Sequence, residues 1–186
     1  MFPAVTSTAA PPSSRIRREL QEADFHDAYE IVFPHRGRSA LDIYLTVAAR
    51  MPAWVDFLMA ARNRAVSLLG LKNLGHLGDL DLARDVSAYR VGDRIGIFSL
   101  LSISDDEVVL GDSDRHLDVK VSFCKLASDN RESIVATTVV HIHNRLGRVY
   151  MLLVKPFHRL IVPASLRQAA EGIPVQSPNR KKEPGS

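Results

Sequence analysis

The chain of 186 residues has one cysteine, Cys124. A lone thiol excludes an internal disulfide, and secreted domains of this size usually carry cysteines in pairs, so a cytoplasmic location is expected. The opening MFPAVTSTAAPPSS lacks a basic start followed by an unbroken apolar run, and reads poorly as a signal peptide. A long hydrophobic run is also missing. The most apolar stretch, VYMLLVKPFHRLIVP, is interrupted by Lys155, Pro156, His158 and Arg159, so no transmembrane segment is expected. That stretch could still lie on a membrane surface.

Charge of one sign is not in large excess. The net charge is +3, and RIRR at 15–18 and NRKK at 179–182 carry much of it. A folded core this close to neutral offers no dense basic face for nucleic acid. Phosphate-binding and dinucleotide-binding glycine loops are absent, as is a serine nucleophile elbow, and no cofactor is expected. Gly92 and Gly96 in VGDRIG read as turn punctuation. His116, His141 and His143 raise the question of a metal, since alternate strand residues share a face. No further histidine or carboxylate stands at ligand spacing, so no metal site is expected. Cys124, beside Phe123 in a strand pattern, reads as an inert thiol.

What is present is material for a core: 46% of residues are hydrophobic and 24% charged. Composition predicts disorder over 1–22 and over the basic tail 173–186, leaving a single α+β domain at 23–172. FHDAYEIVF reads as a first strand, closed by Pro34 and Gly37. Ser39, with Asp42 three residues on, caps a helix carrying Leu41, Tyr44, Leu45, Ala48 and Ala49. Pro52 ends that helix and opens a second, with Trp54, Phe57, Leu58, Ala61, Ala65, Leu68 and Leu69, stopping at Gly70. Residues 71–93 read as a long, gate-like loop.

Four β patterns follow, RIGIFSLLSIS, EVVLGD, HLDVKVSFCKLA and SIVATTVVHIHN, joined by turn-forming linkers as an antiparallel meander. Asn144 can cap a last helix whose residues Leu146, Val149, Tyr150, Leu153, Phe157, Leu160 and Ile161 form an apolar stripe. Pro156 and Pro163 are expected to kink or break it.

The stretch DRHLDVKVSF, 114–123, has two readings. A turn at SDNRE places Leu117, Val119, Val121 and Phe123 opposite Val140, Thr138, Ala136 and Ile134, an apolar face for the last helix to cover. His116, Asp118, Lys120 and Ser122 then share a mixed face with His141, Val139, Thr137 and Val135. On the structural reading this face meets water. On the functional one the strand begins at a cavity rim, with Arg115, His116 and Asp118 in its mouth. Lys155 and His158 are either solvated or, at a helix kink, turned into a pocket where an imidazole suits binding or proton transfer.

The stretches VVLGDSDRHLDVKVSF, TTVVHIHNRLGRVY and VKPFHRLIVP resemble the uncharacterised bacterial family catalogued as domain of unknown function 2867. The resemblance covers roughly Ala23 to Ala170 and implies no established chemistry. In many relatives a similar domain follows a nucleotide-binding oxidoreductase domain, which implies an interaction module acting beside a separate oxidoreductase as one reading. The element order is also similar to the helix-grip fold of the START and polyketide-cyclase type, a likeness of topology. It implies a curved antiparallel sheet gripping a long C-terminal helix, with two helices after the first strand and a cavity between sheet and last helix. Five strands are secure in the sequence, and residues 88–91 are a source for another.

The leading expectation is a domain binding a small hydrophobic or amphipathic molecule. Its walls are Leu117, Val119, Val140, Tyr150 and Phe157, and its polar contacts Arg115, His116, Asn144 and His158. The rival is a cyclase- or isomerase-type enzyme in which His116 or His158 abstracts a proton and Asp118 orients it. Homo-oligomerisation through a sheet edge is a further possibility.

Overall fold

The structure, a computed structural model, describes residues 4–32, 37–67, 80–81, 83–128 and 131–171. Seven antiparallel strands form one curved sheet: β1 (Val5–Ser7), β2 (Phe25–Val32), β3 (Arg94–Ile95), β4 (Phe98–Ile103), β5 (Glu107–Ser113), β6 (Leu117–Ser128) and β7 (Arg131–Ile142). Their spatial order is β1-β2-β7-β6-β5-β4-β3. The meander from β3 to β7 closes on β2, so the first long strand lies beside the last. Helices α1 (Ala40–Ala49), α2 (Ala53–Ser67) and α3 (Arg145–Glu171) complete the α+β fold.

Local chemistry accounts for the element ends. The Ser39 side chain accepts a hydrogen bond from the Asp42 N–H, 3.2 Å, and starts α1, and Arg38 pairs with Asp42 one turn in. The Asn144 side chain accepts from the Gly147 N–H, 3.1 Å, and starts α3. The main core joins α1, the inner sheet face and the end of α3 through Leu41, Tyr44, Leu100, Leu110, Ile134 and Leu166, among others.

Several expectations need correction. Residues 4–22 are not a disordered tail. β1 pairs with β2, the 3₁₀ turn Arg15–Glu19 follows, and Ile16 is buried against Val139 on the outer sheet face. Burial of that isoleucine, together with backbone pairing, supplies what composition alone did not reveal. The outer face consequently does not simply meet water: Ser122, Val135, Thr137 and Val139 are all buried. RIGIFSLLSIS is two strands, because Gly96 at φ 58° turns the chain between Ile95 and Phe98, which pair. Residues 88–91 add no strand. Val86–Ala88 is a 3₁₀ turn instead, and its cap is Asp85.

Val119 stands opposite Val140, not Thr138, in the register that pairs Ser128 with Arg131. This two-residue slip leaves every side chain on its expected face. Pro156 and Pro163 do not break α3, which continues through both. The stop at Gly70, residues 71–79 and 82 of the expected 71–93 loop, and the 173–186 tail lie outside the described residues.

Candidate functional site

A cavity of about 260 Å³ lies between the inner sheet face and α3. Its sheet wall includes Leu117, Val119, Val121, Ala136, Thr138 and Val140, and its helix wall Tyr150, Met151, Val154, His158, Val162 and Ser165. Tyr44 and Val47 from α1, Met51 just after that helix and Met59 of α2 also line it. Alternation in β6 and β7 puts Val119, Val121, Ala136, Thr138 and Val140, none larger than valine, on this wall, with the larger Leu117 and Phe123 also lining it.

Few polar groups enter this apolar volume. The His158 Nε2–H donates to Asp27 Oδ1, 3.2 Å, so in the neutral ring Nδ1 is an acceptor. The ring edge also meets the Phe25 ring at 5.7 Å and 87°. Asp27 Oδ2 is buried without a hydrogen-bond partner, as is Ser165 Oγ on the cavity wall. Burial pushes the Tyr44 hydroxyl far above the usual tyrosine range, so it stays a neutral phenol. Tyr44 also packs edge-on against Phe123 at 5.3 Å.

The opposite polar cluster is at the β6 start. The Asn144 Nδ2 donates to the Arg115 carbonyl, 2.9 Å, and to His116 Nδ1, 3.0 Å. One asparagine therefore caps α3 and holds the His116 ring at Nδ1. His116 lines the cavity together with Asp112 and Asp114. Gly147 brings α3 so close that a Cβ there would lie 2.3 Å from the His116 carbonyl oxygen.

Of the residues named from sequence, His116, Leu117, Val119, Val140, Tyr150 and His158 line the cavity. Arg115 is exposed, Asn144 acts through His116, and Phe157 is on the opposite side of α3, 47% exposed. Asp118 orients neither candidate base: its carboxylate meets His143 Nε2 at 3.2 Å and the Ser113 hydroxyl. It is on the outer face because it alternates with Leu117 and Val119. Asp27 takes the orienting position, and sequence reasoning missed it along with Tyr44 and Ser165. Its one signal was a carboxylate on the same strand face as Phe25 and Ile31, where an apolar residue fits the pattern. Among the described residues no group of three metal-ligating side chains gathers.

A family model described as "Protein of unknown function (DUF2867)" matches residues 19–165. The chain belongs to this family. No curated protein and no solved structure matches it. The DUF2867 match begins in the 3₁₀ turn at Arg15–Glu19 and ends within α3 at Ser165, so it takes in the sheet from β2 onward, both cavity walls and the Asp27–His158 pair. The helix-grip comparison is one of topology.

Proposed function

We propose that the chain binds a small, mostly apolar molecule between the sheet and α3. The observation that carries this reading is a cavity of about 260 Å³ walled mostly by aliphatic and aromatic side chains, with His158 and Ser165 on the α3 wall and His116, Asp112 and Asp114 among the other polar groups that line it. Ligand pockets combine such walls with a few placed polar groups, and typical ones span roughly 300–1,000 Å³. The occupant is accordingly a compact ring system or a short chain, too small to be a diacyl lipid. The carboxylates of Asp112 and Asp114 disfavour an anionic occupant. N-phenylnaphthylamine, a neutral fluorophore, tests the reading. Its emission rises on binding to the native chain and not to Val140→Trp, which fills the space. Equal emission from both proteins contradicts the proposal.

A second reading rests on the contact between His158 and Asp27. An imidazole held by a carboxylate at an apolar wall has the parts of a general base, with Nδ1 free to take a proton from a bound carbon acid or hydroxyl. His158→Gln separates the readings: a binding domain keeps its occupant largely unchanged, and an isomerase-type enzyme keeps the occupant but loses turnover.

A further inference from the structure

Helix α3 has two apolar faces. Met151, Leu166 and Ala169 are buried on the inner one. On the outer one Val149, Leu152, Leu153, Phe157 and Leu160 are 56%, 75%, 67%, 47% and 63% exposed. At 3.6 residues per turn these five form one strip along about three turns. A contiguous strip of this kind on a folded chain marks an interaction surface.

Its borders carry charge of one sign. Arg145 and Arg148 stand at one end, Arg159 beside the strip and Arg167 beyond it, all exposed. From Arg145 to Ala170 the helix contains no Asp or Glu. We propose that the outer face of α3 docks in the plane of an anionic lipid bilayer, with the leucines and Phe157 in the headgroup boundary and the arginines on lipid phosphates and carboxylates. Apolar residues bordered by cations, without acids, are the pattern of interfacial helices. A second copy of the chain fits less well, because pairing two such faces brings arginines against arginines. Crossing the bilayer fits less well again. The helix is long and apolar enough by length and composition, but a span would strip Leu166 and Ala169 from the core and carry Lys155 and Arg159 into hydrocarbon. This inference is independent of the cavity reading.

Co-sedimentation of the full chain with vesicles tests it. The chain binds vesicles of phosphatidylcholine mixed with phosphatidylserine, and binds pure phosphatidylcholine at least about tenfold more weakly. Leu153→Ser combined with Leu160→Ser, at positions exposed enough to leave the fold intact, abolishes binding. Arg148→Glu combined with Arg159→Glu lowers it by about tenfold or more. Thermal melting checks that both variants fold. No binding to the mixed vesicles, equal binding to both vesicle types, or binding insensitive to the variants overturns the proposal. A concentration-dependent dimer that the leucine variant dissociates, without vesicle binding, overturns it in favour of self-association.

Discussion

Asp27 and His158 are 131 positions apart in the chain and meet at the cavity wall. One oxygen of Asp27 is committed to the imidazole and the other is buried without a partner. A half-satisfied buried carboxylate is a cost to folding. Asp27→Asn therefore leaves stability within about 1 kcal/mol of the parent, or raises it, while weakening the hold on His158. Urea denaturation checks this, and a loss above about 3 kcal/mol, the cost of breaking a fully satisfied buried pair, contradicts it. Gly147→Ala behaves differently. The new methyl would meet the His116 carbonyl at 2.3 Å and the Ile142 side chain at 2.9 Å, so α3 must move off β6. Overpacking of this kind costs about 1–3 kcal/mol, and the His116 ring loses its fixed position.

Cys124 gives a pH prediction. Burial, aided by the nearby Glu107 carboxylate, pushes its thiol from the ordinary 9.0 to about 11. A raised value means that the folded chain keeps its proton where the unfolded chain gives it up. The associated stability is fully present below pH 9.0 and is lost as pH rises through about 11. The native thiol also resists iodoacetamide at neutral pH and reacts once urea opens the sheet. Fast native labelling would contradict this. At this scale the sequence made His116, His158 and the inward valines legible, because alternation and ring chemistry are local signals. Asp27 was hidden, since its role depends on a contact that no spacing encodes.

Among the elements, the segment at residues 4–22 is held by a buried carboxylate. Glu107 accepts hydrogen bonds from the Ser14 hydroxyl, from the Arg15 N–H at 2.9 Å and from the Ser122 hydroxyl at 2.7 Å. Glu107→Ala strands those donors and costs about 1–3 kcal/mol. Limited proteolysis then cleaves near residues 10–18 faster than in the parent, and unchanged cleavage would mean that Ile16 and the β1–β2 pairing hold the segment without Glu107. Disorder was the natural expectation from serine, proline and alanine there, because one buried isoleucine and one acid 93 positions away are invisible to composition. The stripe on α3 was right in part, since Tyr150 and Ile161 line the cavity, whereas Val149, Leu153, Phe157 and Leu160 are exposed, for a related reason. Leucine and phenylalanine outnumber alanine and serine on the helix, yet the smaller residues Ser165, Ala169 and Ala170 face inward, where the core has little room. Periodicity locates a helix reliably, but it cannot choose between two apolar faces. The order of the meander was legible from turn chemistry, whereas the return of β2 to β7 was not, because it pairs strands distant in the chain.

For the whole molecule, both sheet edges are short, with β1 at three residues and β3 at two. Among the described residues, neither terminal strand is long enough to offer an extended edge for association. The central claim concerns the space between sheet and α3. Native mass spectrometry of the chain taken directly from expressing cells, repeated after denaturation, measures it most directly. The account predicts a reproducible small-molecule mass on the native chain that disappears on denaturation and is missing from Val140→Trp. A folded native chain at its bare mass, or an adduct equally present on Val140→Trp, would contradict it.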